Sequence, residues 1–351
     1  MKRGNIALFI PHNGCLHQCS FCGQSTITGH SRQPAPEEVS WAVEEALRHT
    51  SPQDTQWEIA FFGGSFTAVD EAYQTALLEA AVPYVRQGIV QGIRISTRPD
   101  AIDGRILRRL KDYGVTAIEL GAQSMSDAVL KQNQRGHTAQ QVQQASQAIR
   151  KLGFSLGLQM MVGLDGDTLE GAFDTARKLA ELRPDTMRIY PTIVLPHTPL
   201  ACRFLRGEYQ PMELDEAVEV CADLLDFFEA QNIAVIRLGL HSSSELEENR
   251  LAGPWHPAFR ELCDSRRFFK RLTAYLQEKH PPPAAWRIRV HPSWISKAVG
   301  QKQANRKALA DLGYSVTFLG DPAVPPLAFV LQDPKQNPRK ERKVGREFLF
   351  R

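Results

Sequence analysis

The sequence lacks the features of several common protein classes. No segment contains the roughly 18 consecutive apolar residues that a membrane-spanning helix needs, and the apolar run after Met1 is too short for a secretory signal. Six cysteines in 351 residues are too few for a disulfide scaffold. These absences argue against a membrane protein and a disulfide-rich secreted protein. We therefore expect a cytoplasmic chain without a membrane partner.

The chain also lacks a strong net charge. It contains 42 Lys and Arg residues against 39 Asp and Glu residues, which gives +3. However, residues 281–351 contain 13 basic and 5 acidic residues and carry +8, so the preceding part of the chain carries −5. The whole-chain value argues against a general nucleic-acid binder, but it does not describe the C-terminal segment.

Short apolar runs that alternate with amphipathic helical stretches indicate βαβ units and a parallel sheet. The predicted fold is α/β, with a partial or full parallel (β/α) barrel whose functional site lies at the carboxyl ends of the strands. The predicted strands are Ile6–Ile10, Trp57–Phe62, Gly92–Ser96, Ala117–Leu120, Ser155–Met161, Thr186–Tyr190 and Ala234–Leu238. The predicted helices are Pro36–His49, Glu71–Gln87, Ile102–Tyr113, Ala139–Leu152, Leu169–Leu182 and Leu214–Ala230.

The alternation stops near Ser242, and the stiff Pro281-Pro282-Pro283 segment marks a second boundary. We expect the barrel over residues 1–241, a helical extension packed on it over 242–280, a small basic α+β module over 281–331 and a basic tail over 332–351. The elements predicted in the module are a strand at Trp286–Val290, a helix at Ile295–Leu312 and a strand at Ser315–Leu319.

Three cysteines with CxxxCxxC spacing, Cys15, Cys19 and Cys22, directly follow the first predicted strand. Thiolates select iron–sulfur clusters, zinc or copper. A structural zinc site normally takes four protein ligands, whereas three cysteines can hold three irons of a four-iron cluster and leave the fourth open. A zinc knuckle or three unrelated thiols are the alternatives. The other three cysteines are Cys202, Cys221 and Cys263. Each could offer a fourth thiolate, but we expect them to take no part in the site.

The triad after the first strand of a predicted barrel resembles that of the radical S-adenosylmethionine (radical SAM) superfamily. Phe21 matches the aromatic residue that usually precedes the third cysteine. The resemblance implies a [4Fe–4S] cluster on the three cysteines and S-adenosylmethionine on the open iron. It also implies cleavage to a 5′-deoxyadenosyl radical, driven by a reductant such as flavodoxin or ferredoxin.

Motifs at the ends of later strands extend this resemblance. Gly63-Gly64-Ser65 is similar to the glycine-rich motif that contacts the amino group of S-adenosylmethionine, with Ser65 in place of an acidic residue. The alternatives for these motifs are a tight turn, a helix cap, or buried structural hydrogen bonds. The resemblance implies seven cofactor-binding residues: Gly63, Gly64, Ser65, Arg98, Glu119, Gln123 and Gly163.

Over roughly residues 5–270 the chain resembles the radical domain of the Elongator catalytic subunit and its short bacterial relatives. The motifs that carry this likeness include Thr97-Arg98-Pro99-Asp100, Glu119–Ser124, Arg135-Gly136-His137-Thr138 and Gln159–Gly163. Asp165 stands where proline is usual. Only Met1–Asn5 precede the first predicted strand, and no long second enzymatic domain is expected. Carboxymethylation that depends on acetyl-CoA is therefore not carried over to this chain.

The β-loop-α-β order of the C-terminal module, with its basic glycine loop, resembles a degenerate KH domain. In KH domains a GxxG loop clamps the backbone of single-stranded nucleic acid; here Gln303 replaces the second glycine. An α+β cap with a solvated basic face is the alternative. The candidate nucleic-acid contacts are Lys297, Gly300, Lys302, Arg306 and Lys307.

The leading prediction is a radical SAM enzyme that modifies RNA, either tRNA or rRNA. One alternative keeps the radical chemistry but assigns it to a small-molecule or protein substrate. Another is a non-enzymatic RNA-binding protein with a structural metal. Tyr190, Cys202 and His241 are candidates for relaying or quenching a substrate radical, because they are expected near the barrel mouth.

Overall fold

A computed structural model describes residues 2–11, 19–23, 32–49, 55–241, 244–282 and 285–332. The chain divides into two compact units. Unit 1 comprises Met1–Ala217 and Phe227–Pro257, and unit 2 comprises Val218–Asp226 and Ala258–Arg351. The four-part division expected from the sequence stays a prediction.

Unit 1 contains a seven-stranded sheet in which every strand is parallel to its neighbours and the spatial order follows the chain. Among the described residues no pairing links the seventh strand to the first, which confirms the partial form of the predicted barrel. The strands are β1 (Lys2–Ile10), β2 (Thr55–Gly63), β3 (Ile93–Thr97), β4 (Val115–Gln123), β5 (Ser155–Val162), β6 (Thr186–Pro191) and β7 (Ala234–Leu238).

Helices connect these strands, as the alternating pattern predicts. They are α1 (Pro36–His49), α2 (Glu71–Arg86), α3 (Gly104–Asp112), α4 (Asp127–Gln132), α5 (Ala139–Lys151), α6 (Leu169–Glu181), α7 (Pro199–Leu205), α8 (Leu214–Ala230) and α9 (Ser244–Asn249). The short helices α4, α7 and α9 are not predicted from the sequence because they span too few residues to show a helical period. The caps of α4 and α7 are clearer signals: Ser126 and Thr198 each accept a hydrogen bond from a first-turn amide.

Successive side chains of a strand point to opposite faces of the sheet, and β4 shows the consequence. In β4, Ile118 and Leu120 are completely buried, and the residue between them is Glu119. The strand register aligns Glu119 with Ser96 of β3, and aligns Gln159 of β5 with Arg188 of β6. These four polar side chains line one cavity.

Unit 2 contains helix α10 (Phe259–Lys279), strand β8 (Ala285–Val290), helices α11 (Ile295–Val299) and α12 (Ala304–Asp311), and strands β9 (Ser315–Gly320) and β10 (Phe329–Gln332). The strand β8 lies in the centre of a three-stranded sheet, parallel to β9 and antiparallel to β10. A separate apolar core, which includes Phe268, Trp294 and Phe329, holds this unit together.

The prediction of one helix over Ile295–Leu312 is wrong, because α11 and α12 are separated by a turn at residues 300–303. The φ angles are +78° at Gly300, +51° at Lys302 and +63° at Gln303, which a helix cannot contain. Asn305 stabilises the break: its buried side-chain amide donates to the carbonyl oxygens of Lys297 at 3.1 Å and Ala298 at 3.2 Å. These carbonyls belong to the last turn of α11 and lack partners within it.

Within the described ranges, no helix is long and apolar enough to cross a membrane.

Candidate active site

The carboxyl ends of the strands of unit 1 enclose an open cavity of ≈ 260 Å³. Two members of the cysteine triad, Cys19 and Cys22, line it, while Cys15 lies outside the described residues. The cavity wall also contains Gly63, Gly64, Ser65, Arg98, Glu119, Gln123, Tyr190 and His241. The fold therefore brings together six of the seven predicted cofactor-binding residues and two of the three relay candidates.

The remaining candidates lie elsewhere. Gly163 is not part of the described cavity wall; a Cβ atom on it would come within 2.9 Å of the Met212 sulfur, and its carbonyl accepts a hydrogen bond from Tyr209 at 2.7 Å. Cys202 is exposed on α7, while Cys221 and Cys263 are buried. In unit 2, burial and a hydrogen bond with Cys221 raise the pKa of the Cys263 thiol.

The loop that carries Cys19 and Cys22 is held by its backbone. The Cys22 amide donates to the Cys19 carbonyl at 3.1 Å, which closes a tight turn. Between them, the Ser20 amide donates to the Asn133 carbonyl at 3.1 Å, and the Ser20 hydroxyl donates to Asn133 Oδ1 at 3.0 Å. The Ser20 carbonyl accepts from the Leu200 amide at 2.8 Å. The cysteine turn is thus anchored to the end of α4 and the start of α7.

Asn133 extends this anchor to the loop after β5. It is completely buried, and its Nδ2 atom donates to the carbonyls of Val129 at 2.9 Å and Asp165 at 2.8 Å. The Asp165 carboxylate forms an ion pair with Arg203 of α7 at 2.6 Å. Asp165, which departs from the proline usual in the family, therefore ties its loop to the helix that also holds Ser20.

Two guanidinium groups approach Cys19 Sγ. Nη1 of Arg135 donates to the sulfur at 2.9 Å, and Nη1 of Arg98 lies 3.9 Å from it. Arg98 is held by Asp100 through two bonds of 2.9 and 3.0 Å and also donates to the Arg135 carbonyl. Arg135 donates through Nη2 to the Gly121 carbonyl at 2.6 Å. Both arginines are therefore fixed by other protein atoms as well as facing the cysteine.

The glycine motif closes the end of β2 against β1. Gly63 has a φ of +105°, and a Cβ atom there would lie 2.7 Å from the Ile10 carbonyl oxygen, which already accepts from the Gly64 amide at 2.7 Å. The Ser65 hydroxyl shares a 2.7 Å hydrogen bond with Thr97 and accepts from the Arg98 amide at 3.1 Å. Ser65 therefore joins the ends of β2 and β3 at the cavity wall.

Inside the cavity, Glu119 forms a buried ion-pair network. Its carboxylate lies 2.5 Å from Nε of Arg188 and 3.2 Å from Nη1 of Arg94, which also pairs with Glu58 at 2.7 Å. Burial opposes the charge of Arg188, but Glu119 raises the pKa of Arg188 above its ordinary value. These contacts hold the buried carboxylate of Glu119 in place, and its role in cofactor binding stays a prediction.

His137 packs behind the end of β4. Its Nε2 atom lies 3.2 Å from the Ala122 carbonyl, while its buried Nδ1 atom has no hydrogen-bond partner among the described residues. Burial and the nearby Arg135 charge lower the pKa of His137 to about 4. The ring is therefore neutral near pH 7, and Nε2–H donates to Ala122.

Sequence reasoning missed the roles of Asn133, Arg135 and Arg188. Arg135 belongs to a motif that suggests the family but not a contact with Cys19. Asn133 lies at the end of the unpredicted helix α4. Arg188 lies within an apolar strand, where a single charged residue signals either an exposed edge or a charged interior. Their partners are distant in sequence, so no local pattern identifies them.

The candidate nucleic-acid residues of unit 2 differ in exposure, and Gly300 is buried within the turn. Three of them are exposed: Lys302 lies in the turn itself, and Arg306 and Lys307 lie in the first turn of α12. Lys297 is half-buried; its Nζ atom lies 3.7 Å from Asp264 and 4.6 Å from the centre of the Trp294 ring.

The described residues fit the iron–sulfur cluster that the motif implies. Cys19 and Cys22 stand one turn apart at the cavity wall. The N–H groups of Arg135 and Arg98 that face Cys19 Sγ favour negative charge on this ligand sulfur. Arg135 is only 5% exposed, and its Nε atom has no hydrogen-bond partner among the described residues. A buried polar atom at the cavity wall is consistent with a polar group bound beside it.

Comparison with known proteins identifies the family. The sequence profile described as the Radical SAM superfamily matches residues 9–179, and that of the Radical_SAM C-terminal domain matches residues 184–268. A tRNA uridine(34) acetyltransferase of Methanocaldococcus jannaschii is 25% identical over 254 residues, which cover 61% of this chain and 47% of the relative. Human Elongator complex protein 3 is 28% identical over 201 residues, which cover 52% of this chain and 37% of the relative. The chain thus spans about half the length, or less, of these curated relatives.

A solved structure shows the same fold. The archaeal Methanocaldococcus infernus Elp3 with an N-terminal deletion superposes with a TM-score of 0.58 at 20% identity, covering 80% of this chain and 64% of that one. This likeness shows the fold. The family is shown by the two profile matches, which together cover more than two thirds of the chain, and the cysteine turn in the cavity wall agrees with them. The chain belongs to the radical SAM superfamily and is a radical SAM enzyme whose cofactors are a [4Fe–4S] cluster and S-adenosylmethionine.

Proposed function

We propose that this enzyme modifies RNA, with tRNA as the substrate class. The proposal includes a cytoplasmic location and electron supply by a small reductant protein such as flavodoxin or ferredoxin. A one-electron reductant of some kind is a general need of the superfamily. The matched relatives include enzymes named for a tRNA uridine, which supports tRNA over other RNAs.

The observation that carries the proposal is the turn between α11 and α12. Gly300 and Gln303 stand at the two glycine positions of a GxxG loop, and both have positive φ angles although the second residue is glutamine. The turn and the first turn of α12 expose three cations, Lys302, Arg306 and Lys307. Phosphate contacts from such side chains position a nucleic-acid backbone without reading its sequence. We assign Gly300 to shaping the turn and Lys297 to supporting it through Asp264.

Within the cavity, the chain's own residues perform the binding and the orientation. When bound, the cluster and S-adenosylmethionine supply a 5′-deoxyadenosyl radical that abstracts hydrogen from the substrate. Cys15, Cys19 and Cys22 would hold the cluster, and the backbone at Gly63 and Gly64 would contact the amino group of S-adenosylmethionine. Ser65, Arg98, Gln123 and Gly163 remain proposed cofactor-binding residues. Glu119 also remains a proposed cofactor-binding residue, and its ion pairs with Arg94 and Arg188 would hold its carboxylate in position.

The apolar part of the wall restricts water near the reacting atoms. Phe62, Ile193, Leu195 and Leu240 line the cavity beside its polar groups. Excluding water protects a carbon radical from side reactions and strengthens the electrostatic contacts of the wall. Tyr190 and His241 also line the cavity and are the two relay candidates that a substrate there could reach.

Binding of tRNA to the full chain tests the assignment of unit 2. The double variant Lys302→Glu/Arg306→Glu should weaken binding, and the slope of log affinity against log salt should fall by about 0.7 for each single-strand phosphate that is no longer neutralised. The matched control is Arg86→Glu/Lys151→Glu. It changes the charge by the same amount at two exposed residues of unit 1, one on α2 and one on α5. Equal effects of the two double variants would contradict the assignment.

A comparison of tRNA nucleosides by mass spectrometry tests the substrate. Cells that carry Cys22→Ala should lose at least one modified nucleoside that wild-type cells contain, because the variant removes a cluster ligand. An unchanged profile, together with 5′-deoxyadenosine formation by the purified wild-type enzyme, would favour a small-molecule or protein substrate instead.

A further inference from the structure

Arg135 is a buried cation placed by the backbone at the cluster turn. It follows α4, where its amide donates to the Leu130 carbonyl at 2.9 Å. Its neighbours Gln134 and Gly136 have positive φ angles of 54° and 70°, so the chain turns on both sides of it. Nη2 is held by Gly121, which directs Nη1 to Cys19 Sγ at 2.9 Å. The side chain is thus fixed at both ends of its guanidinium group.

Arg135 differs from Arg98 in how its charge is balanced. Arg98 forms a two-bond ion pair with Asp100, whereas Arg135 takes part in no ion pair among the described residues. A buried positive charge without an acidic partner is costly unless another negative group is present. Cys19 is the negatively charged ligand within reach when the cluster is bound.

We propose that Arg135 raises the reduction potential of the iron–sulfur cluster. Reduction adds one electron from the external reductant and one unit of negative charge to the cluster. Hydrogen bonds to ligand sulfurs and nearby positive charge stabilise the reduced form more than the oxidised form. Arg135 supplies both effects through one group, and the role concerns the electron step rather than the identity of the substrate.

The test is a redox titration of the anaerobically reconstituted full chain in the absence of S-adenosylmethionine. Electron paramagnetic resonance measures the reduced cluster at each potential. Arg135→Met removes the charge and the donor, Arg135→Gln keeps a donor, and Arg135→Lys keeps the charge. We expect Arg135→Met to lower the equilibrium constant for one-electron reduction by about tenfold, which is about 59 mV. Arg135→Gln and Arg135→Lys should give smaller decreases. Arg105→Met removes an exposed arginine of α3 and should leave the potential unchanged.

Iron content separates this role from a purely structural one. Potentials are compared only between proteins with equal iron per chain. If Arg135→Met does not take up iron, the potentials of Arg135→Gln and Arg135→Lys are compared with that of the wild type instead. A potential equal to that of Arg105→Met overturns the proposal, as does weaker S-adenosylmethionine binding at an unchanged potential. Failure of all three Arg135 variants to load iron also overturns it, because Arg135 would then be needed to form the cluster turn.

Discussion

Replacing Asn133 by alanine tests whether the cysteine turn depends on its anchor. The change removes the side-chain bonds to Ser20, Val129 and Asp165, whose distances are 3.0, 2.9 and 2.8 Å. Each buried hydrogen bond contributes about 0.5–1.5 kcal/mol, and the groups left without partners add a further cost. We therefore expect the free energy of unfolding of the iron-free protein to fall by about 2–4 kcal/mol.

The assay is urea unfolding followed by circular dichroism, with iron content measured separately after reconstitution. We expect Asn133→Ala to retain less iron, because the Ser20 contact holds the segment between Cys19 and Cys22. Asn249→Ala is the control: Asn249 is exposed on α9, and its side-chain amide donates to the Glu245 carbonyl at 2.8 Å. A loss below about 1 kcal/mol for Asn133→Ala, with wild-type iron content, would refute the reasoning.

Two further predictions concern the cavity wall. Gly63→Ala should unfold more readily and lose S-adenosylmethionine binding, measured by calorimetry, because its Cβ would meet Ile10 O at 2.7 Å. Gly88 also has a positive φ, of +69°, but apart from its chain neighbours no atom of the described residues lies within 4 Å of a Cβ there, so Gly88→Ala should bind normally. The lowered pKa of His137, about 4 against an ordinary 6.5, means that the unfolded chain binds more protons between these values. Its contribution to the free energy of unfolding is fully present above pH 6.5 and decreases by about 3 kcal/mol as the pH falls toward 4. In His137→Asn, the free energy of unfolding measured by denaturation should depend less steeply on pH over this interval. An unchanged slope would contradict the assignment.

The sequence predicts the βα alternation well because strand and helix periods are local properties. All seven predicted strands of unit 1 overlap observed strands, although β1 begins at Lys2 rather than Ile6. Register with β2 explains the difference, since Lys2 pairs with Thr55 and the ladder continues beyond the apolar run. Such extensions depend on a partner strand and not on the residues of the strand itself.

The site is only partly predictable for the same reason. Cys19, Gly63 and Gln123 belong to recognisable motifs, and the parallel sheet brings their strand ends together. The contact of Arg135 with Cys19 joins residues 116 positions apart, and the helical pattern of residues 295–312 conceals the turn at Gly300. These features follow from tertiary packing and from backbone angles, which a hydrophobic period does not encode.

Transfer of deuterium from tRNA to 5′-deoxyadenosine tests the central claim most directly. The reconstituted enzyme is incubated anaerobically with S-adenosylmethionine, a reductant and tRNA from cells grown in heavy water and lacking this activity. Mass spectrometry of the 5′-deoxyadenosine should show one deuterium from a carbon-bound position of the RNA, and none with unlabelled tRNA. If all of the 5′-deoxyadenosine formed with the deuterated tRNA is unlabelled, the account is contradicted.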